Sequence, residues 1–490
     1  MQVSSRAVLW AVGCLCLLFA LFPPATPAAA ESVHGKFWID QGQQMLHVWG
    51  TPYEMGYAHG YFLGPQILEL MSVYTFPPEG FGTWLYDLAR SFICNTFDFT
   101  DPELMDEVRG MLDGMIAGGV ESYVEVLGRE LDVLDLLTFN GLNDINALRC
   151  ASLIGWGDAT LADPELNGQP AFVHNSDFGD ETREAPFLIA QRSLVISYTP
   201  SDPERQRFLT IGNPGTLGAA VALNESGVAV GLNLGMALNH NPDPDLDPKP
   251  TLEGWTSRQA LSRRDADGDG AYTIEDYFLL LENTYQFGST INHVIGPRAA
   301  SDPPAAALEI SNTARSMRYP ADDPNLAPDI FMILNWEDVL VPERNEHNEE
   351  RYQIAIDAIL NTYQRNLTLA NLWDFLYLMQ VDNTGCKTMQ SMVILPETGR
   401  FALAISDVDS LAPSKEPVWH DFAELFPPYA VSPSPAAAWI DLHPDDDDND
   451  GDDDTVGDDD SAGNGTDDDT PGNPAPDDDE DDQDDRGGCI

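Results

Sequence analysis

The hydrophobic pattern of this 490-residue chain changes its period at Cys150, and that change limits the possible folds more than any other feature. From Pro102 to Leu148 the apolar residues recur at helical spacing with acidic residues opposite, which predicts a layer of helices. After Cys150, short apolar runs alternate with turn residues, and strands are predicted at Ala171 to Asn175, Phe187 to Tyr198 and Phe208 to Ile211. The pattern therefore predicts an α+β fold whose strand-rich part begins at Cys150.

The segment before the helical layer carries a strand pair and a glycine-marked helix. The strand pair is predicted within Lys36 to Trp49, after which Thr51 can cap a helix. That helix has Gly56, Gly60 and Gly64 on one face, and glycine is a poor helix former, so the face is expected to contact another backbone closely. His59 lies beside this face and is interpreted as a histidine held at the helix contact, rather than as a catalyst.

The strand-rich part contains hairpins and two further helices. Asn224 to Gly227 is typical of a hairpin turn, and so is the segment between Met389 to Leu395 and Phe401 to Ile405. Helices are predicted at Glu349 to Tyr363 and at Leu369 to Met379. Two more strands are expected at Ala306 to Ser311 and Ile330 to Leu334.

The two ends of the chain are predicted to lie outside the fold. Residues 1–30 combine Arg6, an apolar run and a Pro/Ala-rich segment, as in a secretory signal peptide of a bacterial protein. The apolar run is too short for a membrane span, so no transmembrane segment is expected. Residues 428–490 are Pro/Ala-rich and then Asp-rich, which predicts a disordered acidic tail. The protein is therefore expected to be secreted or on the cell surface.

The charge distribution argues against polyanionic partners. The formal net charge is −57, and residues 441–490 hold 23 acidic residues against one arginine. The first 440 residues still hold 58 acidic residues against 23 basic ones. Because both parts repel polyanions, neither nucleic acid nor an anionic membrane is expected as a partner.

The cysteines that remain after signal removal are Cys94, Cys150, Cys386 and Cys489. Their spacing matches no zinc site. An oxidising compartment permits disulfides, and Cys94 with Cys386 is one possible pair. Cys150 is either a buried structural cysteine or a nucleophile, and its place at the start of a strand favours the nucleophile.

An acidic loop at 265–276 predicts a calcium site. The sequence Asp-Ala-Asp-Gly-Asp-Gly-Ala-Tyr-Thr-Ile-Glu-Asp places a glycine at the sixth position, where an EF-hand loop turns sharply. The twelfth position is aspartate rather than glutamate, which resembles a dockerin repeat and is expected to weaken binding. The alternative is a solvated acidic turn before the helix Ile274 to Glu282. The expected ligands are Asp265, Asp267, Asp269, Ala271, Thr273 and Asp276.

Four motifs in this order resemble the peptidase C45 (isopenicillin N acyltransferase-like) family, over roughly residues 45 to 410. The first is the glycine-marked helix with Glu54 and His59, and the second is Cys150 followed by Asn175-Ser176-Asp177. The third is Asn-Glu-Ser-Gly-Val-Ala-Val-Gly-Leu-Asn, which ends at Asn233. The fourth is Asn335 at a strand end, although Trp336 follows it where the family commonly has histidine.

The resemblance implies an N-terminal nucleophile hydrolase fold, a four-layer αββα sandwich. It further implies self-cleavage between Arg149 and Cys150, into residues 31–149 and 150–490 that stay associated. A thiol has a pKa of about 8.5 and needs a base, whereas a new α-amino group titrates at about 7.7 to 8.0. Scission would therefore place a base on the residue that carries the nucleophile.

The resemblance also implies roles for the surrounding residues. Cys150 would attack the acyl carbon, and Asp177 would orient its α-ammonium group. Asn335, or else Asn233, would donate a hydrogen bond to the oxyanion.

These features predict a secreted acyltransferase or amidohydrolase that cleaves an amide or ester through an acyl-cysteine. The expected substrate is a small-molecule or lipid acyl compound. Structural calcium is expected, and no organic cofactor. One alternative is a lipid-directed hydrolase of the same fold, resembling phospholipase B-like or ceramidase enzymes. Another alternative is a non-catalytic calcium-binding surface protein.

Overall fold

The computed structural model describes residues 33–427, except for 78–81, 146–148, 180–184, 236–248, 283, 312–313, 364–365 and 384–385. The predicted signal peptide at 1–30, the acidic tail at 428–490 and Cys489 lie outside the described residues. Along the described part, none of the helices combines the length and the hydropathy that a membrane span needs.

The part before Cys150 is mainly helical, as predicted. Its elements are β1 (Gly35–Asp40), β2 (Gln43–Gly50), α1 (Pro52–Tyr74), α2 (Trp84–Thr96), α3 (Pro102–Ala117), β3 (Tyr123–Val124), β4 (Arg129–Glu130) and α4 (Val133–Ile145). The prediction of continuous helical spacing was wrong between α3 and α4. There the chain forms the small β3–β4 hairpin, in which Gly128 adopts a φ of 66° that favours glycine.

The part from Cys150 is strand-rich. Its elements are β5 (Arg149–Gly155), β6 (Ala171–Gly179), α5 (Ala185–Gln191), β7 (Leu194–Pro200), β8 (Phe208–Gly212), β9 (Val221–Asn224), β10 (Ala229–Leu234), α6 (Glu253–Ser262), α7 (Ile274–Leu281), β11 (Thr290–Ile295), β12 (Ala305–Ile310), β13 (Arg315–Arg318), β14 (Ile330–Ile333), α8 (Glu346–Asp357), α9 (Leu369–Leu378), β15 (Cys386–Leu395), β16 (Arg400–Ile405) and β17 (Val418–Asp421). Both predicted hairpins are confirmed, as the pairs β9–β10 and β15–β16.

One predicted strand was wrong in its first half. The run from Phe187 to Tyr198 begins inside helix α5, and only its second half forms strand β7. A continuous apolar run does not distinguish a buried strand from a buried helix. The run follows Ala185-Pro186, and a proline suits the first turn of a helix, which is where the structure begins α5.

The strands form two large sheets within the described residues. One sheet has the order β1-β2-β7-β8-β9-β10-β11-β12-β13, and the other has the order β14-β5-β6-β15-β16-β17. Neighbouring strands are antiparallel except for β2 and β7, which are parallel. Strand β5, which carries Cys150, lies between β14 and β6.

Three hydrophobic cores separate four layers. The first core joins the helices α1, α3 and α4 to one face of the nine-stranded sheet, the second lies between the sheets, and the third joins the six-stranded sheet to α8 and α9. Adjacent residues of one strand enter different cores: Ile154 lies between the sheets, and Leu153 faces α8 and α9. The αββα sandwich predicted from the sequence is therefore confirmed.

The predicted close contact of the glycine-marked helix is also confirmed. Helix α1 crosses α3, and a Cβ atom built on Gly60 would lie 1.9 Å from the backbone oxygen of Met111. His59 is buried on the same helix and accepts a hydrogen bond from the Gly215 backbone N–H at 3.0 Å, so its interpretation as a held histidine is confirmed. The possible bridge between Cys94 and Cys386 was wrong, because neither cysteine forms a disulfide.

Candidate active site

Cys150 is the second residue of β5, and its side chain lines a cavity with a volume of about 170 Å³. The residue is only 2% exposed. On one side, β6 pairs along the whole of β5, with Cys150 opposite Ser176. On the other side, β14 pairs only with residues Ser152 to Gly155. The backbone of Cys150 therefore extends past the end of β14.

The side chain of Asn335 takes the place of the missing strand partner. Its Oδ1 accepts a hydrogen bond from the Cys150 backbone N–H at 2.9 Å and another from Arg351 Nη1 at 3.0 Å. Its Nδ2 donates to the backbone oxygen of Leu234 at 2.8 Å. Because two donors face one end of the amide and an acceptor faces the other end, these partners fix the orientation of the amide.

This orientation differs from the role predicted for Asn335. In the structure, Asn335 Oδ1 accepts a hydrogen bond from the Cys150 backbone N–H. The sequence had instead suggested that the Asn335 side-chain N–H donates to an oxyanion. Donation to an oxyanion is not seen in this geometry and stays a prediction. The observed contact instead suits a group that holds the nitrogen at the start of the nucleophile residue.

Arg351 is a site residue that the sequence did not reveal. It lies on α8, donates to Asn335, and its positive charge favours the ionised form of the Cys150 thiol. It stands in the acidic, polar segment Glu-His-Asn-Glu-Glu-Arg, where an arginine is typical of a solvated helix face. Only the packing of α8 on β5 and β14 brings it to the site.

Asp177 is buried on β6 beside the predicted scissile bond. It pairs with Arg149 in the β5–β6 register, and its Oδ1 accepts a hydrogen bond from Thr388 Oγ1 at 2.5 Å. Burial raises the pKa of the Cys150 thiol, and the charge of Asp177 raises it further. In the uncleaved chain the thiol is therefore protonated at neutral pH and needs a base before it can attack.

Asn233 takes part in a buried chain of hydrogen bonds next to the cavity. Its Nδ2 donates to the backbone oxygen of Ile333 at 3.2 Å, and its Oδ1 accepts from Ser152 Oγ at 3.2 Å. Ser152 Oγ also bonds Nδ1 of His174 at 2.8 Å. Asn233 thus supports the wall of the site, and its predicted donation to an oxyanion is likewise not seen. Asn224, in contrast, holds the β9–β10 turn by accepting from the Val228 backbone N–H, as expected.

The cavity has apolar walls and acidic groups. Within the described part of the chain, two carboxyl groups line it besides Asp177: Asp144 at the end of α4 and Glu253 at the start of α6. Neither residue was predicted from the sequence, because each stands at an ordinary helix terminus. The apolar walls are formed by Leu70, Phe139, Ile189, Ile211, Leu232 and Leu234.

The acidic loop contributes no described residue to the lining of this cavity, and it has part of the predicted geometry. Oxygen atoms of Asp265, Asp267 and Asp269 lie within 4.8 Å of one another, and all three residues are exposed. The structure does not bring Asp276 into this group. Its carboxylate is buried and accepts hydrogen bonds from the backbone N–H groups of Ala266 and Thr273, and it caps α7. Ala271 and Thr273 complete the predicted set, and calcium binding stays a prediction.

We expect the loop to bind calcium weakly, with a dissociation constant of roughly 10⁻⁴ to 10⁻³ M. The Asp267→Ala variant is expected to weaken this binding at least about tenfold, because it removes one of three converging carboxylates. Asp158→Ala, which removes an exposed aspartate outside the loop, is the matched control. Titration calorimetry without any calcium-dependent heat in the unmodified chain would refute the prediction.

No family model matches the sequence. An uncharacterised protein from Archaeoglobus fulgidus is 23% identical over 301 residues, which span 57% of this chain and 46% of that protein. The chain thus matches about half the length of this curated relative. The resemblance to the peptidase C45 family and the EF-hand-like character of the loop therefore stay predictions.

Three solved structures show a partial likeness. They are an N-acylethanolamine-hydrolysing acid amidase ortholog from Caenorhabditis elegans (14% identity, TM-score 0.35, 50% of this chain and 93% of that one), a conjugated bile acid hydrolase variant from Clostridium perfringens (10%, 0.34, 55% and 96%) and a penicillin V acylase from Agrobacterium tumefaciens (10%, 0.33, 54% and 88%). The activities in these descriptions belong to those proteins. At these scores, no residue role carries over to this chain.

Proposed function

We propose that this chain is a self-cleaving hydrolase that uses Cys150 to cleave an amide or ester bond through an acyl-cysteine. The observation that carries the proposal is the hydrogen bond from the Cys150 nitrogen to Asn335, whose oxygen is also held by Arg351. A backbone nitrogen inside a strand ordinarily needs only a strand partner. A side-chain acceptor fixed by three hydrogen bonds is suited to hold that nitrogen after the chain before it has been cut.

The proposed maturation begins with the Cys150 sulfur attacking the carbonyl carbon of residue 149. A carbon–sulfur bond forms, the carbon–nitrogen bond of the peptide breaks, and the thiol proton passes to the Cys150 nitrogen. Among the nearby carboxylates, Asp177 has the strongest effect on the pKa of the Cys150 thiol, so it is suited to relay the thiol proton. Water then hydrolyses the thioester, which leaves a carboxylate on residue 149 and a free thiol and amine on Cys150.

In the proposed reaction, the α-amine of Cys150 accepts the thiol proton. A base is required because burial and Asp177 raise the pKa of the thiol, and a free α-amino group titrates at about 7.7 to 8.0. The sulfur attacks the substrate carbonyl, and the leaving amine or alcohol takes the proton from the α-ammonium. Water then hydrolyses the acyl-cysteine, and the thiol is regenerated.

The walls of the cavity favour an apolar acyl group. Its apolar side chains come from α1, α4, α5, β8 and β10, so an aliphatic or aromatic chain can pack on several sides at once. Such a group is compatible both with small acyl compounds and with lipid-derived ones. If the chain is exported as expected, hydrolysis is favoured over transfer from coenzyme A, since acyl-coenzyme A is scarce outside the cell.

Intact-mass spectrometry of the purified chain tests the proposal directly. We expect two fragments, one of which begins at Cys150, and release of acid from a panel of acyl p-nitroanilides and p-nitrophenyl esters. A single chain that releases no acid from any of these substrates would overturn the proposal.

Replacement of Asn335 by leucine is expected to slow fragment formation about 10- to 100-fold. Leucine keeps the volume but removes the acceptor, and a hydrogen bond to a group that becomes charged contributes roughly 1.5 to 3 kcal/mol. The measurement is the rate at which the Cys150 fragment appears in a time course of intact masses.

Asn175→Leu is the matched control for this variant. Asn175 is also a buried asparagine, but its side chain bonds Leu376 and Ser391 rather than the Cys150 nitrogen. Both variants should lose stability, and only Asn335→Leu should slow the cleavage. Equal cleavage rates in the two variants would show that Asn335 acts through stability alone.

A further inference from the structure

The cavity beside Cys150 contains a buried carboxyl group with an unused oxygen. Glu253 is the first residue of α6, is 6% exposed and lines the cavity. Among the residues that the structure describes, none forms a hydrogen bond with its Oε1. A buried polar atom without a partner destabilises the folded state, so this position is suited to a ligand group that donates a hydrogen bond to it.

The backbone around Glu253 holds it in this position. Gly218 and Gly254 contact each other so closely that a Cβ atom on Gly218 would lie 2.6 Å from the Cα of Gly254. The Ala219 backbone N–H also donates to the Gly254 oxygen at 2.9 Å. The glycine-rich loop before β9 thus fixes the start of α6 against the nine-stranded sheet.

Asp144 adds a second carboxyl group next to Glu253. Its Oδ2 accepts a hydrogen bond from the Glu253 backbone N–H at 2.7 Å, and its side chain lines the same cavity. Burial raises the pKa of Asp144 to about 7, and it raises that of Glu253 well above its ordinary value, as does the charge of Asp144. Two neighbouring carboxyl groups of this kind need a positive partner before both can ionise.

His174 lines the same cavity. Asn233 donates to backbone oxygens, so its own oxygen must accept from Ser152, and Ser152 must in turn accept from Nδ1 of His174. The proton of the ring therefore lies on Nδ1. The buried Nε2 forms no hydrogen bond with any described residue, and it carries only a lone pair. Burial keeps the pKa of His174 well below its ordinary value, so the ring stays neutral and accepts.

We propose that this cavity binds a primary ammonium group of the substrate, with Glu253, Asp144 and His174 as its hydrogen-bond acceptors. The inference rests on the proposed function and names its substrate class: an apolar acyl compound that also carries a protonated amine. An ammonium group has three donors and a positive charge, which match three acceptors of which two can become negative. Anionic substrates are disfavoured by the same groups and by the acidic charge of the folded part.

Titration calorimetry with three simple ligands tests the subsite without any turnover. Hexylammonium, hexanol and hexanoate have the same chain length and differ in the charge of their polar end. We expect hexylammonium to bind the mature chain at least about tenfold more tightly than hexanol, and hexanoate to bind more weakly than either. Equal affinity for hexylammonium and hexanol would overturn the inference.

The Glu253→Gln variant locates the binding. It keeps the shape of the side chain and removes its charge, so hexylammonium affinity is expected to fall about tenfold while hexanol affinity changes less than about twofold. Glu275→Gln is the matched control, because Glu275 is an exposed first-turn glutamate of α7. If Glu253→Gln does not fold, Asp144→Asn serves as the second variant. Unchanged hexylammonium affinity in a folded variant of either residue would contradict its part in the site.

The affinity for hexylammonium should also rise with pH. Below a pKa of about 7 Asp144 is protonated and neutral, so binding is expected to be at least severalfold tighter at pH 8 than at pH 6, where the amine ligand itself stays charged. After scission, deprotonation of the Cys150 α-amine also increases hexylammonium affinity as the pH rises. The Asp144→Asn variant separates the two effects, and we expect its affinity to increase less between pH 6 and pH 8. A pH-independent affinity would contradict the role of Asp144. Among the described residues, the ionisable side chains that line the cavity are Tyr74, Asp144, Cys150, His174, Asp177 and Glu253.

The outcomes separate this inference from the proposed function. Selective binding of hexylammonium in a chain that is never cleaved and never releases acid would support the subsite and refute the hydrolase. Cleavage and acid release without any preference for the ammonium ligand would support the hydrolase and refute the subsite.

Discussion

Replacement of Cys150 by alanine is expected to leave a single uncut chain and to reduce acid release by roughly 10⁴-fold or more. The sulfur is the atom that forms a bond to carbon both in the maturation and in the reaction, so no neighbouring group can substitute for it. Burial and the charge of Asp177 raise the pKa of the Cys150 thiol, so the thiol is protonated in the uncleaved chain. We therefore expect activity to depend on cleavage before Cys150. The measurements are the intact mass and the rate of acid release.

Cys386→Ala is the matched control for Cys150→Ala. Cys386 likewise forms no disulfide, is also 2% exposed, and also lies at the start of a strand in the six-stranded sheet. Both variants remove the same atom from a buried position and should lose similar stability. Only the Cys150 variant should remain uncut and inactive. Fragments or acid release in Cys150→Ala at the level of the control would refute the role of the thiol.

Cys150→Ser provides an intermediate case. A hydroxyl group is a much weaker nucleophile than a thiolate, but it can still undergo the same exchange of the acyl group between nitrogen and oxygen. We expect slow cleavage with little acid release. This variant would then separate the maturation from the reaction.

The sequence was sufficient to predict the order of helices and strands because their signals are local, whereas the four-layer arrangement was implied by the resemblance to the peptidase C45 family. The hairpins at Asn224 and between Leu395 and Arg400 depend on turn residues within a few positions. The α+β order follows from the change of period at Cys150. The error at Phe187 has the opposite cause, since a short apolar run has no period of its own and tertiary packing decides its structure.

The candidate site was predictable only where its residues stand in a recognisable pattern. Cys150 and Asp177 belong to a strand, a turn and a second strand, so their neighbourhood follows from local pairing. Arg351, Glu253 and Asp144 come from three separate helices. Each is an ordinary charged residue of a helix in the sequence, and only the stacking of the layers brings it near the thiol. The orientation of the Asn335 amide was not predictable for the same reason, because its partners Cys150 and Leu234 are distant in sequence.

The contact between α1 and α3 is expected to tolerate no side chain, so Gly114→Ala should destabilise the fold by at least about 2 kcal/mol. A Cβ atom on Gly114 would lie 2.0 Å from the Tyr57 backbone oxygen and 2.9 Å from the Tyr61 nitrogen. Both contacts are with backbone, so no rotamer change relieves them and the helices must separate. Alanine is the better helix former by about 1 kcal/mol, which makes a net loss of stability a strict test. Urea unfolding followed by circular dichroism gives the free energy.

Ile116→Ala is the control, because it places alanine two residues away on the same helix at a position that is 46% exposed. Its free energy of unfolding is expected to stay within about 0.5 kcal/mol of the unmodified chain. Helix α1 also contributes Leu70 and Tyr74 to the cavity, so a separation of α1 from α3 should change hexylammonium affinity in Gly114→Ala but not in Ile116→Ala. A Gly114→Ala protein as stable as the unmodified chain would show that the two helices do not cross at backbone contact, and the glycine-marked face would then need another explanation.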